Sequence, residues 1–249
     1  MNSSVKRKLI KYFNIFFWRQ HPEAALRYLP VASEIKKRKL QDSKILEIGS
    51  GSLGIVPYLK KNIDGLDIDF SGPQTKMLKK IRGKADSIPF RKNSYDVSIS
   101  VDVIEHLDPA IREKAIYELL RVAKKLAVLV VPEGENAQNQ DKKLYTRYVR
   151  IFKRPHPFLE EHVKYGLPKK EDLLVSIDRS SRLLNKKVKV KSYPNLNLFI
   201  RNILMLTWIT KNKFVYYLYL KGYLLLVPLL RRCNFGKTYR TVFVIEFPS

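Results

Sequence analysis

Apolar and polar positions between residues 44 and 134 alternate in a way that predicts a parallel α/β sheet. Short apolar runs predict strands at 45–48, 62–67, 95–100 and 126–131. Stretches with helical spacing predict the connections: a short helix from residue 55, a basic helix that ends near Arg82, and a helix over 109–123. Strands that alternate with helices pair in parallel through right-handed crossovers. Ligands then bind beyond the carboxyl ends of the strands, where four acidic residues occur: Glu47, Asp67, Asp86 and Asp102.

The flanks of this core predict further helices and two more strands. Residues 5–19 form an amphipathic pattern with aromatic side chains opposite basic ones, and Pro22 and Pro30 suit the first turns of short helices at 23–28 and 31–39. Beyond residue 134 the pattern predicts, in order, a helix at 141–152, a proline-marked loop, a helix at 170–182, and strands at 187–193 and 238–247. Between the last two strands lie two apolar segments with helical spacing, 196–210 and 214–230.

The first predicted strand stops at a glycine-rich turn, G-S-G-S-L-G over 49–54. Glycines leave room for a ligand against the backbone, and a helix that begins beyond them offers free N–H groups. The spacing satisfies the fingerprint of dinucleotide cofactors such as NAD, but Glu47, two residues before the turn, would repel a pyrophosphate. The same carboxylate attracts the sulfonium and ammonium groups of S-adenosylmethionine, which we therefore favour. Asp67, at the end of the second strand, suits the hydroxyls of an adenosine ribose.

Charge is positive and unevenly distributed. The net charge is +25, of which residues 44–134 carry +3, residues 1–43 carry +7 and residues 186–249 carry +11. No acidic residue occurs between Asp178 and Glu246. Such ends favour an anionic partner: phospholipid, nucleic acid or a phosphorylated carrier. The single cysteine, Cys233, excludes an intramolecular disulfide and suits a reducing cytosol.

The two apolar regions outside the core resemble interfacial helices more than membrane spans. We expect neither a signal peptide nor a membrane-spanning helix, because no window approaches the roughly 18 uncharged apolar residues that a span requires. The pattern at 5–19 and the apolar segments edged by cations near the end are typical of helices that lie in a membrane interface. Packing on the domain or against a second copy of the chain is the alternative.

Five motifs occur in order between residues 44 and 134. They are I-L-E-I-G-S-G-S-L-G from Ile45, G-L-D-I-D from Gly65, A-D-S-I-P-F from Ala85, S-Y-D-V-S-I-S-V-D-V-I-E-H-L from Ser94, and L-L-R-V-A-K-K from Leu119. Together they resemble the core of the class I S-adenosylmethionine-dependent methyltransferases of the small-molecule and lipid-modifying type. One departure is that Gly54 stands one position later than the glycine of many members. The resemblance implies a doubly wound, Rossmann-like sheet of seven strands, mostly parallel, with an antiparallel last strand.

The resemblance also implies S-adenosylmethionine as the cofactor and assigns its contacts. Glu47 would lie near the methionine amino group, and Asp67, followed by Ile68, would bind the ribose hydroxyls. Asp86 would accept from the adenine amino group, with the backbone of Ser87 nearby. The methionine and ribose would be lined by the turn residues Gly49, Ser50, Gly51 and Gly54, and the floor beneath the sulfonium would be residues 100–102, which end at Asp102.

Glu105 and His106 follow the fourth strand, where the resemblance places the acceptor. His106 can take a proton from an acceptor hydroxyl as the methyl group arrives. Positioning alone also accounts for much of the rate of methyl transfer, so a base is not required. His156 and His162 belong to the proline-marked loop that can border the acceptor. Because no histidines and acids show a tight metal-binding spacing, we expect no metal.

These observations divide the chain into an N-terminal helical arm, 1–43, and a methyltransferase domain, 44–249. Within the domain, 134–185 is the acceptor-side segment and 195–235 an apolar, basic helical insertion. We predict methyl transfer to an oxygen or carbon of a lipid, quinone or lipid-linked glycan intermediate, by a cytoplasmic protein bound at the inner membrane face. RNA or a soluble small molecule is the alternative acceptor; no RNA-binding motif accompanies the charge. An NAD-binding protein and an inactive scaffold are the remaining alternatives. The sequence does not determine the acceptor atom or the oligomeric state.

Overall fold

The central strand β5, Ala123–Pro132, shows that the sheet is covered on both faces. The computed structural model describes residues 21–248. Leu126, Val128 and Val130 are buried in one hydrophobic cluster, whereas the intervening Ala127 and Leu129 are buried in another. Successive residues of a strand point to opposite faces. Two separate cores therefore lie on the two faces of the sheet, as expected where strands are parallel.

The seven strands have the order β3-β2-β1-β4-β5-β7-β6, and β7 runs antiparallel to both of its neighbours. This confirms the doubly wound, Rossmann-like topology. The strands are β1 Ile45–Ile48, β2 Ile63–Asp67, β3 Leu78–Arg82, β4 Tyr95–Val101, β5, β6 Lys189–Asn197 and β7 Thr238–Glu246. The helices are α1 Pro22–Lys37, α2 Val56–Leu59, α3 Pro109–Val122, α4 Gly134–Phe152, α5 Pro157–Tyr165, α6 Lys170–Leu183, α7 Leu198–Trp208, α8 Lys213–Leu220 and α9 Val227–Leu230.

The basic segment that ends at Arg82 is a strand, and the predicted helix there is wrong. β3 pairs residue for residue with β2, from Ile63 opposite Leu78 to Asp67 opposite Arg82. Leu78 is buried while its lysine neighbours are exposed. A strand at the edge of a sheet tolerates such charge, which also discourages pairing with other chains. Because a run of five residues has too little periodicity to separate the two structures, only the pairing with β2 decided it.

The two short helices predicted around Pro30 are a single helix, α1. A proline inside a helix leaves the carbonyl four residues earlier without its donor, which here is the carbonyl of Leu26. Asn195 of β6 donates its side-chain amide to that carbonyl at 3.2 Å. The lost helical hydrogen bond is therefore replaced from a strand that is distant in sequence, and the helix continues through the proline.

The acceptor-side segment contains more helix than the pattern predicted. α4 begins at residue 134, immediately after β5, and not at residue 141. The stretch assigned to a proline-marked loop contains α5, with Pro157 in its first turn. A proline at that position costs the helix nothing, because the first N–H groups of a helix have no partner within it. His162 consequently lies on a helix.

The insertion between β6 and β7 packs partly against α1. Leu204, Tyr219 and Leu224 are buried with Ala25 and Leu26 of that helix. The run Lys213–Leu230 has the length and composition of a membrane-spanning segment, contrary to the sequence expectation, and 17% of it is buried. The fold divides this run into α8, a 3₁₀ segment at Gly222–Leu226, and α9. The helix predicted at 5–19 lies outside the described residues.

Candidate active site

The glycine-rich turn between β1 and α2 is held from beneath by Glu47. Its Oε2 accepts a hydrogen bond from the backbone N–H of Ile55 at 2.7 Å, and its Oε1 accepts one from the Tyr28 hydroxyl at 2.8 Å. The carboxyl group is fully buried, and this burial raises the pKa of Glu47 to about 8. Glu47 therefore shapes the turn directly, and Tyr28 is a supporting residue that the sequence did not reveal.

Each glycine of the turn serves a different purpose. Gly54 has φ +52°, and a Cβ there would overlap Glu47 Oε2. This contact explains why the glycine stands at 54: it is the residue that passes directly over the carboxylate. A Cβ at Gly49 would overlap Val103, so the segment after β4 closes against the turn. Around Gly51, at φ +53°, a Cβ would meet nothing within 4 Å, which leaves open space for a ligand.

Asp67 connects the end of β2 to the turn. Its Oδ2 accepts a hydrogen bond from Gly51 N–H at 2.6 Å, and its Oδ1 accepts one from Asp69 N–H at 3.0 Å. Asp69 in turn accepts hydrogen bonds from the N–H and the hydroxyl of Ser71, which gives Asp69 a structural role in this turn. The side chain of Ile68 is 64% exposed beside this group. The structure thus brings Asp67 and Ile68 to the predicted edge of the sheet.

Asp86 lies in the tight turn that follows β3. Lys84 and Ser87 form a bridge around it, with Ser87 N–H donating to the Lys84 carbonyl at 3.2 Å. Because β3 is parallel to β2, the turn emerges at the same edge of the sheet as Asp67. Ser50 is buried between the glycines, with its hydroxyl donating to the Gly51 carbonyl at 3.1 Å. The predicted cofactor residues from three strands therefore converge.

Asp102 directly follows β4, and two arginines hold its carboxylate. Arg240 of β7 donates from Nε and Nη2 at 2.6–2.9 Å, and Arg27 of α1 donates at 3.2 Å. Burial would raise the pKa of Asp102, but Arg240 and Arg27 outweigh it and lower this pKa to about 2. The residue has φ +52°, a conformation that aspartate tolerates better than most side chains. The Asp102 carboxylate is therefore a fixed anion at the edge of the site.

Asp102 belongs to a buried network of charges that sequence reasoning missed. Glu23 of α1 accepts from Arg240 at 2.7 Å, and Arg201 of α7 pairs with Asp141 of α4 at 2.7 Å. Tyr239 also donates to Asp141, at 2.8 Å. One signal was available in the sequence, since Arg201 is the one charged residue of the mainly apolar helix α7, and a buried arginine requires a partner.

Glu105 and His106 occupy a 3₁₀ turn, Ile104–His106, immediately after this anion. Glu105 is fully buried, and burial raises its pKa to about 8. His106 Nδ1 hydrogen-bonds Glu161 Oε2 of α5 at 2.8 Å, and its Nε2 lies 3.8 Å from Glu105 Oε1. Burial lowers the pKa of His106, but Glu161 and Glu105 outweigh it and raise this pKa above its ordinary value. The carboxylate of Glu161 thus orients the ring and leaves Nε2 for a proton or a ligand.

His162, predicted to border the acceptor, stacks near His106 with ring centroids 4.7 Å apart. Its Nδ1 hydrogen-bonds Asp141 Oδ2 at 2.7 Å. Ligand atoms of Glu105, His106 and His162 all lie within 4.8 Å of one another. α5 folds this histidine, which is distant in sequence, onto the turn after β4, and the spacing along the chain does not reveal that grouping.

An aromatic row links this cluster to the insertion. Phe158 contacts both His106 and His156, whose ring in turn contacts Trp208 of α7 at 4.9 Å between centroids. A cavity of about 440 Å³ opens beyond the row. Its lining consists of Tyr148, Phe152, Trp208, Thr210, Lys211, Lys213 and Tyr216. A larger groove of about 1120 Å³, along α1 and β6, contains none of the predicted site residues.

Residues 46–131 match the family model described as a methyltransferase domain. No curated protein sequence matches the chain. An S-adenosylmethionine-dependent methyltransferase from Thermotoga maritima has a similar structure, with 14% identity over 97% of both chains and a TM-score of 0.52. The methyltransferase domain of bacterial CtHen1 is 11% identical over 90% of this chain and 98% of its own (TM-score 0.50). The [4+2]-cyclase SpnF is 12% identical over 88% and 80% (TM-score 0.51). At these identities the structural likeness shows a shared fold.

Proposed function

We propose that this chain, whose residues 46–131 match a methyltransferase domain, is a class I S-adenosylmethionine-dependent enzyme that methylates an oxygen or carbon of a lipid, quinone or lipid-linked glycan intermediate. We place this reaction at the inner face of a membrane, with the protein bound to the surface from the cytoplasm. The proposal has two parts: the residues that hold the cofactor, and the surface that presents the acceptor.

The turn and the strand ends fit the cofactor. S-adenosylmethionine supplies an electrophilic methyl group on a sulfonium. The open space at Gly51 admits the ligand against the backbone, and Asp67, half-buried beside it, is positioned for the ribose hydroxyls. Asp86 would bind the adenine amino group. Arg27, whose side chain is 29% exposed beside Asp102, supplies a cation for the methionine carboxylate.

The lipid proposal depends on the exposed surface of the insertion. Sixteen large hydrophobic side chains of the described residues are exposed, and ten of them lie between residues 199 and 235. The most exposed are Phe199, Phe214, Leu225, Leu229 and Phe235, each above 60%. Exposed apolar side chains in such concentration are typical of a surface that contacts lipid or another protein.

The charge of the same segment favours an anionic bilayer. Lys211, Lys213, Arg231 and Arg232 are exposed at its edges, and the segment contains no acid. Cations beside exposed aromatics are typical of helices that lie in the headgroup region. The aromatic row from Trp208 to Phe158 then supports a path by which a hydrophobic acceptor reaches His106.

His106 is the proposed proton acceptor when the methylated atom is a hydroxyl oxygen. Its Nδ1 is held by Glu161, so that Nε2 faces the space beside Glu105. In this arrangement the carboxylate fixes the tautomer, and the other nitrogen receives the proton as the acceptor attacks.

Flotation with liposomes tests the surface. Purified full-length protein is mixed with anionic vesicles at physiological salt, with and without excess RNA, and Phe214→Glu and Leu225→Glu are compared with the wild type. Leu183→Glu is the matched control, because Leu183 is 68% exposed on α6, outside the insertion, against 69% for Leu225. We expect the wild type and the control to float with the vesicles and both insertion variants to remain in the bottom fraction. Vesicles that also contain a lipid extract, incubated with radiolabelled S-adenosylmethionine, should then yield label in the organic phase.

Two outcomes would contradict the lipid proposal. If the wild type does not float, the exposed side chains serve another contact. If RNA displaces the protein from the vesicles, nucleic acid becomes the favoured acceptor.

A further inference from the structure

We propose that Glu105, His106 and His162 form a binding site for a divalent transition-metal ion. The three residues come from the 3₁₀ turn after β4 and from α5, and their ligand atoms lie within 4.8 Å of one another. The existence of this site does not depend on which acceptor the enzyme uses.

The cluster contains buried polar atoms without partners. Both carboxylate oxygens of Glu105 are buried and accept no hydrogen bond, and Nε2 of His162 is likewise buried and unpaired. Leaving such atoms unpaired is unfavourable, because burial removes their hydrogen bonds to water and nothing replaces them. The unpaired atoms belong to two residues that form one cluster with His106, with ligand atoms within 4.8 Å of one another, and a bound cation would explain this arrangement.

Each of the two histidines is oriented by a carboxylate. Nδ1 of His106 bonds Glu161 at 2.8 Å, and Nδ1 of His162 bonds Asp141 at 2.7 Å. Histidines that bind metals usually donate their other nitrogen to a carboxylate, which fixes the tautomer and increases the basicity of the ligating nitrogen. Asp141 is itself held by Arg201 and Tyr239. Both imidazoles are therefore fixed with Nε2 available as a ligand.

The donor set indicates the class of metal. Two imidazoles and one carboxylate suit zinc, iron, cobalt or manganese, whereas calcium and magnesium prefer oxygen ligands. Ligands at about 2.0–2.1 Å from zinc lie roughly 3.3 Å apart in a tetrahedron. Closing the present cluster to that spacing requires side-chain movements of about an ångström. Three protein ligands also leave a coordination position open, as catalytic sites do.

The open position gives the metal a role, and this part rests on the proposed methyl transfer. An acceptor hydroxyl bound there would lose its proton to solvent more readily, because the cation stabilises the resulting anion. The O–C bond then forms while the bond between sulfur and the methyl carbon breaks, and its electron pair remains on sulfur. With Nε2 of His106 bound to the metal, the cation would activate the acceptor oxygen in place of that nitrogen, and His106 would serve as a ligand.

Metal titration of the chelator-treated full-length protein tests the site without acceptor or vesicles. Zn²⁺ is followed by calorimetry and Co²⁺ by its visible absorption. We expect one equivalent to bind, and Glu105→Gln and His162→Gln to weaken binding at least about 100-fold. Glu161→Gln, which removes only the group that orients His106, should weaken it about 10–100-fold.

Three controls keep the result interpretable. His156→Gln removes a neighbouring histidine outside the cluster, and Cys233→Ser removes the one thiol; both should bind Zn²⁺ as the wild type does. Glu105→Gln removes a buried carboxyl without a partner, so its thermal unfolding should show a folded protein whose Tm no longer rises with Zn²⁺. The proposal is overturned if the wild type binds no equivalent, or if the two ligand variants bind as tightly as the wild type. Failure to float on liposomes would leave this result untouched.

Discussion

Arg240 donates hydrogen bonds from Nε and Nη2 to both carboxylate oxygens of Asp102, at 2.6–2.9 Å. The pair joins the antiparallel last strand to the end of β4, where the chain turns toward the acceptor side. Glu23 of α1 accepts hydrogen bonds from the same guanidinium, so α1 is also bound to this junction between β7 and the end of β4. Both partners are almost completely buried, at 3% and 7% exposed side chain. The pair therefore aligns the cofactor half of the sheet with the strand that carries the insertion.

Replacing Arg240 by leucine should destabilise the protein strongly. The change leaves Glu23 and Asp102 buried with fewer cations, and breaking one side of a buried ion pair costs about 3–5 kcal/mol. Urea denaturation measures the loss. Arg182→Leu is the control, because Arg182 pairs with Asp178 on the exposed face of α6 and should lose less than about 1 kcal/mol. Equal losses in the two variants would show that the buried pair does not hold the junction.

Alanine should be tolerated differently at two glycines of the same turn. Both Gly51 and Gly54 have left-handed backbone, which costs other residues about 1–2 kcal/mol. At Gly51 the new methyl group meets open space, whereas at Gly54 it overlaps Glu47 Oε2. We expect Gly51→Ala to lose only the backbone cost and Gly54→Ala to lose clearly more in urea denaturation. A Gly54→Ala protein as stable as Gly51→Ala would mean that Glu47 does not support the turn as described.

Asp67→Asn should weaken S-adenosylmethionine binding about 10–100-fold, as measured by calorimetry. Hydrogen bonds to a charged group contribute about 1.5–3 kcal/mol, and the amide offers the ribose hydroxyls one acceptor oxygen without charge. Asp64→Asn is the matched control on the same strand, because Asp64 accepts from the Tyr95 hydroxyl at 2.7 Å, at the other end of β2. The affinity of that variant should stay within about twofold of the wild type. Similar losses in both variants would assign the effect to the strand and not to the site.

The free energy of unfolding of the cofactor-free protein should decrease as the pH rises, because Glu47 loses its proton. Burial raises the pKa of this carboxyl from its ordinary 4.5 to about 8, so the folded state binds the proton more tightly than the unfolded chain. Stability therefore decreases as pH rises from about 4.5 to about 8, by up to about 1.4 kcal/mol per pH unit.

Denaturation of the wild type and of Glu47→Gln at several pH values between 5 and 8 measures that contribution. Glutamine is neutral throughout, so the difference in unfolding free energy between the two proteins should change steadily with pH. Parallel curves would show that Glu47 titrates normally.

Local spacing in the sequence was sufficient to predict the glycine-rich turn and the strands β1 and β2 beside it. Glu47, the glycines and Asp67 lie within one strand–turn–helix–strand unit, and short-range spacing suffices to predict their arrangement because parallel strands bring their carboxyl ends together. The role of Asp86 was implied by the family resemblance alone, because the strand before it, β3, was predicted as a helix. The antiparallel last strand, also implied by the family resemblance, was confirmed.

Elements whose structure depends on distant partners were predicted less well. β3 is a strand because β2 pairs with it, and α1 continues through Pro30 because Asn195 supplies a hydrogen bond from β6. Neither cause is visible in a local pattern of apolar and polar residues. The described part of the chain does not reach the amphipathic pattern at 5–19, which stays a prediction.

The tertiary structure alone decided the acceptor side. It placed His162 beside His106, paired Arg240 with Asp102, and joined Asp141 to Arg201. These residues are far apart in sequence, and a histidine or arginine carries no signal of its partner along the chain. Burial makes the pairing compulsory, because an ion or polar atom removed from water is stable only where the fold supplies its counterpart.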